Sequence, residues 1–200
     1  MTSTSPHREL IRVGVVGLSA SGGWAAAAHV PALAGLDGYE LRALSASTAE
    51  SARAAGEKYA VPLAFGSAEE LARSEEVDLV VVTVKVPGHL EFIRPALEAG
   101  KMVFSEWPLG ADLAQAEELA DLAHRRDVLT AVGLQARSAP PLRYLRDLVA
   151  DGYVGRVLST SMLGRTGSGA PLTTATMRTC WTSRAAPRCC RSPSGTRSTR

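Results

Sequence analysis

The order of apolar runs predicts an α/β fold, a doubly wound parallel sheet with helices on both faces. Three observations carry this. Six short apolar runs alternate with five helix-like segments between Ile11 and Leu134, the pattern of βαβ units. The run Asp78-Leu-Val-Val-Val-Thr-Val84 is apolar at successive positions, as a central strand buried on both faces requires. The first run ends in Gly17-Leu-Ser-Ala-Ser-Gly22 and an alanine-rich segment, which is how a strand delivers a tight turn to a helix start.

Taken in order, Ile11–Val16 reads as a strand. Trp24–Leu36 reads as a helix that Pro31 kinks or restarts. Tyr39–Ser45 is the second strand, and Ser47-x-x-Glu50 is a capping box opening a helix to Tyr59. Leu63–Phe65 is a short strand, and Ser67-x-x-Glu70 caps a helix ending near Ser74. After the central strand come a helix from His89 to Ala99, stopped by Gly100, and a strand from Met102 to Ser105. Asp112-x-x-Gln115 caps a long helix whose apolar face holds Leu113, Ala116, Leu119, Ala120 and Ala123. Val128–Leu134 closes the series. A second unit then starts with a helix over Pro141–Asp151, closed by Gly152, and a strand over Arg156–Met162.

Composition bounds the function. At 200 residues, 46% hydrophobic and 21% charged, the chain has ordinary globular composition and room for one good core. No apolar run approaches a membrane span. Residues 1–9, expected to be disordered, hold no apolar stretch of the secretory kind, so the expected location is cytoplasmic. The net charge of +2 hides two compositions. Seven arginines and no acidic residue follow Gly164. Setting these aside leaves 15 basic against 20 acidic residues up to Gly164, a net of −5. An acidic body argues against nucleic-acid binding by the fold itself.

Open sheets of this kind bind ligands past the carboxyl ends of their strands. The candidate site therefore comprises Gly17–Gly22, Ser45–Thr48, Lys85–His89, Glu106–Pro108 and Gln135–Arg137. Backbone N–H groups and a helix start after β-strand one can hold a phosphate, although Ser19 stands where a second glycine is usual. The residues assigned to a dinucleotide are Gly17, Leu18, Ser19, Ala20, Ser21, Gly22, Ser45, Ser47, Thr83, Val84, Glu106 and Gln135. Strand two ends in Ser45-Ala-Ser-Thr48 without the carboxylate that grips an NAD 2′-hydroxyl. Hydroxyls accommodate a 2′-phosphate better than an aspartate would, so NADP is favoured over NAD. The alternative for Ser47 is a plain helix cap.

Several motifs, in order and spacing over residues 10–164, resemble the Gfo/Idh/MocA family of NAD(P)-dependent oxidoreductases. They are the strand–glycine turn, His29-Val-Pro31-Ala, Glu57-Lys-Tyr, the strand leading to His89, Ala99-Gly-Lys-Met-Val, Glu106-Trp-Pro-Leu109 and Gly152-Tyr-Val-Gly-Arg-Val. Gly17–Ala25 and Gly133-Leu-Gln-Ala-Arg137 are similar to the branch that holds the fungal galactose-pathway repressor. The resemblance implies a Rossmann-type nucleotide domain over 10–137 and the start of an α/β substrate domain over 138–164. It also implies a sugar- or polyol-like substrate or effector, and a homo-oligomer for the full-length form. Family enzymes carry Glu-Lys-Pro where this chain has Glu106-Trp107-Pro108. Indole has no acid–base chemistry near neutral pH, but it can stack on a sugar or nicotinamide ring. Lys85 and His89 are the candidates for a proton relay beside Trp107. The competing readings are a solvated loop charge for Lys85 and a loop-fixing residue at a helix start for His89. Two functions follow: hydride transfer between NAD(P) and a hydroxyl compound, or a non-catalytic NAD(P)-binding sensor or regulator.

Residues 165–200 have few large apolar side chains and read as a disordered basic tail. Cys180, Cys189 and Cys190 lack ligand-pair spacing, so no metal site is expected. The genetic code offers another account. Joining the last base of each codon to the next two turns the segment 188–199 into one compatible with Met-Leu-Ser-Ile-Pro-Phe-Gly-His-Thr-Val-Asp. A Gly-His-x-x-Asp stretch belongs to the second domain of the family it resembles. A frameshift just after Gly164, leaving the substrate domain truncated and the product inactive, is the expectation.

Overall fold

β1 (Ile11–Val16) lies inside a six-stranded parallel sheet, with β2 (Tyr39–Ser45) on one side and β4 (Leu79–Val82) on the other. β3 (Leu63–Phe65), β5 (Met102–Glu106) and β6 (Thr130–Gly133) complete the order β3-β2-β1-β4-β5-β6. The computed structural model describes residues 10–160, with the backbone of 162–164 and 173–175. This is the doubly wound Rossmann-type arrangement the apolar runs predict. The strand order reverses between β1 and β4, where such sheets open a crevice.

One core lies on each face of the sheet. Val13, Val15, Leu18 and Leu44 pack with Ala52 and Ala55 of α2 (Ala49–Tyr59). On the other face, Val80, Val82 and Val103 meet α3 (Ala68–Arg73), α4 (His89–Glu98) and α5 (Leu113–Arg126). At the amino end of the sheet, the Arg12 guanidinium donates twice to Asp78, at 2.7 and 3.0 Å. These bonds hold the Asp78 carboxyl below its ordinary pKa, against a smaller opposing effect of burial.

Four local differences have physical reasons. Trp24–Leu36 is not one α-helix: a π-helical turn, Ala25–His29, precedes α1 (Val30–Ala34). Pro31 has no N–H to continue the ladder, and the Val30 N–H reaches back five residues to Ala25. α2 is capped by Thr48, not Ser47; Thr48 and Ser51 form the reciprocal box. On α5, Leu113 and Ala120 are exposed while Leu119 and Ala123 are buried. At about 100° per residue those two positions sit roughly 100–120° from Leu119, off the face that meets the sheet. The central strand ends at Val82, because Thr83 turns its N–H and its hydroxyl onto the Val16 carbonyl, at 3.1 and 2.8 Å.

The chain divides into two compact units, one reaching to Ala136 and one from Arg137. The second contains α7 (Pro140–Ala150) and an antiparallel pair, β7 (Met162–Gly164) and β8 (Thr173–Ala175). The strand expected over Arg156–Met162 is absent from 156–160, where no strand among the described residues supplies hydrogen bonds; Met162 opens β7. β8 lies within the segment expected to be without structure. The expectations for residues 1–9 and for the rest of 165–200 fall outside the described residues. Among the described residues no helix is long and apolar enough to cross a membrane.

Candidate functional site

The turn after β1 is held from three sides. The Gly17 N–H donates to the Ser45 carbonyl at 3.0 Å. Gly17 has φ +94°, and a Cβ there would lie 2.9 Å from Val84 Cγ1, so both backbone and space exclude a side chain. Further along, the Gly22 N–H closes onto the Ser19 carbonyl at 3.0 Å. From the end of α2, the Tyr59 hydroxyl donates to the Ser19 carbonyl at 3.1 Å, and Lys58 Nζ donates to the Ala20 carbonyl at 2.7 Å. The Glu-Lys-Tyr motif thus fixes the turn across the sheet from a helix 40 residues away.

Over this turn lies a cavity of about 580 Å³. Gly17, Leu18, Ser19, Ser45, Ser47 and Val84 line it, as the sequence predicts. Ala20, Ser21 and Gly22 shape the turn without lining the cavity, and Thr83 pins the strand beneath it. Sequence reasoning missed Ser51 of α2, Ser67 and Glu69 at the start of α3, and Glu91 and Phe92 of α4. Each sits in the first turn of a helix or just before it, so the parallel order of the strands was the signal for them. The Ser45 and Ser47 hydroxyls have no hydrogen-bond partner among the described residues. They are available to a ligand that carries hydroxyls or phosphate.

A second group gathers at the end of β5. Glu106 Oε1 accepts the Trp24 indole N–H at 2.8 Å and lies 2.6 Å from His29 Nε2. Glu106 Oε2 accepts the Gln135 amide at 2.7 Å. Glu106 and Gln135 were expected; Trp24 and His29 were not assigned to the site, though His29 opens the His-Val-Pro motif. His29 is the last residue of the π-helical turn and stacks edge-on against Phe104.

Trp107 and the two candidates for a proton relay, Lys85 and His89, have different surroundings. Trp107 follows β5 with 66% of its surface exposed. The Lys85 side chain is exposed and has no partner among the described residues. His89 is fully buried, with Nε2 3.0 Å from the Val84 carbonyl and Nδ1 3.3 Å from the Leu109 carbonyl. In this structure its ring fastens the loop after β4 and has no exposed surface for a substrate to meet. Among the described residues no group of three or more His, Cys, Asp and Glu could hold a metal ion.

The model of the GFO/IDH/MocA oxidoreductase family, described by its NAD-binding Rossmann fold, matches residues 11–134. This chain belongs to that family. It is similar to a dehydrogenase, aclE, of Aspergillus oryzae, with 44% identity over 127 residues, 62% of this chain and 35% of that protein. It is also similar to the galactose/lactose metabolism regulatory protein GAL80 of Saccharomyces cerevisiae, with 34% identity over 82% of this chain and 40% of that protein. Among solved structures, a variant of KijD10, a 3-ketoreductase from Actinomadura kijaniata in complex with TDP-benzene and NADP, superposes with a TM-score of 0.69. Its identity is 30%, covering 76% of this chain and 47% of that one. The chain thus spans less than half the length of these family members. The Rossmann unit of this family binds NAD or NADP, and the cavity over Gly17 and Ser45 fits that group: a glycine turn without a side chain and hydroxyls at the wall with no partner among the described residues.

Proposed function

We propose that residues 10–137 are the NAD(P)-binding domain of an oxidoreductase acting on a sugar- or polyol-like hydroxyl compound. The observation that carries this is the cavity at the strand carboxyl ends, with Gly17 bare beneath it and Ser45 and Ser47 unpaired at its wall. In this reading the turn takes the pyrophosphate and the serines take the adenosine ribose. The nicotinamide, when bound, supplies or accepts the hydride. Glu69 and Glu91 also line the cavity, and among the described residues no lysine or arginine does. The structure thus adds carboxylates where the hydroxyls alone favoured NADP, and both dinucleotides are expected to bind.

In this reading the substrate would be held by the domain that starts at 138–164, and the switch after Gly164 to a segment with seven arginines and no acidic residue supports a break in that domain. A frameshift at that point accounts for the switch in composition. Resequencing the coding DNA from codon 160 past codon 200 is expected to reveal a one-base insertion or deletion; confirmation of the present frame would overturn this. Cytoplasmic location and a homo-oligomer of the full-length form are part of the same proposal.

A second reading has its own support: a sensor or regulator that binds NAD(P) without turnover. Trp107 stands exposed where family enzymes carry lysine, and the GAL80 regulators are among the relatives. The two readings separate in the frame-restored protein carrying Trp107→Lys. Gain of NAD(P)H-linked turnover on a polyol and sugar panel is the enzyme outcome, and no gain is the sensor outcome. The chain as given is expected to turn over nothing on that panel, and any measurable rate would contradict this.

A further inference from the structure

Three donors from separate parts of the fold meet one carboxylate. Trp24 comes from directly after the glycine turn, His29 from the π-helical turn, and Gln135 from α6 (Gln135–Ser138). The Glu106 side chain is 14% exposed and that of His29 15% exposed. An ionised carboxylate has about four acceptor positions, and three on Glu106 are taken. The His29 ring keeps Nδ1 without a partner among the described residues. No described buried side-chain nitrogen or oxygen lacks a partner, so Nδ1 reaches solvent. The network is therefore partly buried, nearly saturated and open on one side.

Its place in the sheet says what it serves. A doubly wound sheet receives one nucleotide over each half. The cavity lies over β1 to β4 on the side of Ser45 and Gly66, which is the half for adenosine. Glu106 ends β5, in the other half. Resting on the nucleotide reading above, we propose that His29 and Trp24 are positioning residues for the nicotinamide half of the dinucleotide, acting through Glu106. The remaining acceptor position on Glu106 suits a donor such as a ribose hydroxyl or the carboxamide N–H₂. His29 and Trp24 bond to the same oxygen, Oε1, and leave Oε2 shared only with Gln135. Trp24 also ties the end of the glycine turn to the end of β5, which sets the spacing between pyrophosphate and nicotinamide ribose.

The test uses the full chain and isothermal titration with NADH, NADPH and ADP, which carries adenosine and pyrophosphate but no nicotinamide riboside. Trp24→Phe removes one N–H and keeps the ring, whereas His29→Ala removes the second partner. Each is expected to weaken the dinucleotides by about tenfold, the size of a lost hydrogen bond to a charged group. ADP affinity should stay within about twofold for both variants. His29→Gln, which restores an N–H donor, should recover most of the loss. Equal weakening of ADP and dinucleotide would overturn the proposal, because a merely structural network would loosen both halves. Unchanged dinucleotide affinity would overturn it too. If the wild-type chain binds none of the three ligands, the nucleotide reading fails at the outset and takes this proposal with it.

Discussion

Gly17 sits at φ +94° with Val84 Cγ1 2.9 Å from where a Cβ would be. Gly22, at φ +104°, has nothing within 4 Å of the same position. The two glycines therefore answer to different constraints. We expect Gly17→Ala to cost about 2–4 kcal/mol, adding backbone strain to overpacking, and Gly22→Ala about 1 kcal/mol from backbone strain alone. Urea unfolding midpoints of the two variants check the order; equal costs would contradict it. At this scale the sequence was legible where chemistry is local. A glycine ending an apolar strand, with small residues after it, pointed to the turn and to Ser45 and Ser47 beside it. His29 was not legible as a site residue, because its partner lies 77 residues away. Nothing in Ala25-Ala-Ala-Ala-His29 signals a π-helical turn. His89 shows the opposite case: a polar residue past a strand reads as a site candidate, yet both its ring nitrogens face backbone carbonyls.

α2 shows how an element boundary depends on one hydroxyl. Ser47 and Thr48 are both good cap residues, and Ser47-x-x-Glu50 has the spacing of a capping box. Thr48 wins because its side chain accepts the Ser51 N–H at 3.1 Å while the Ser51 hydroxyl accepts the Thr48 N–H at 3.1 Å. The outcome leaves Ser47 at the cavity wall. Thr48→Ala is expected to lower stability by about 1 kcal/mol. Ser47→Ala should leave the unfolding midpoint unchanged and weaken NADPH several-fold, about the value of one hydrogen bond. Equal destabilisation by both substitutions would mean that the two hydroxyls share the cap. The strands were the most legible elements, since runs such as Leu79–Val82 have no other use for four adjacent apolar residues. The strand expected at Arg156–Met162 is not formed over 156–160 for a non-local reason: periodicity marks a residue's preference, and a strand also needs a neighbour, which only Met162 finds among the described residues, in β8.

For the whole molecule, alternation of strand and helix predicted the doubly wound parallel sheet, and the observed order is β3-β2-β1-β4-β5-β6, with β2 and β3 on one side of β1 and β4 to β6 on the other. That order brings Gly17, Ser45 and Val84 around one cavity, and brings Trp24 and His29 to Glu106. Both groups stand at the carboxyl edge of one sheet, which is why a two-part ligand is the economical reading. The most direct measurement is titration of the full chain with NADH and with NADPH, followed by calorimetry and by tryptophan fluorescence. We expect saturable binding of one dinucleotide per chain for both, with quenching of tryptophan emission, since Trp24 borders the glycine turn. Heat and emission that stay flat up to millimolar dinucleotide would contradict the account.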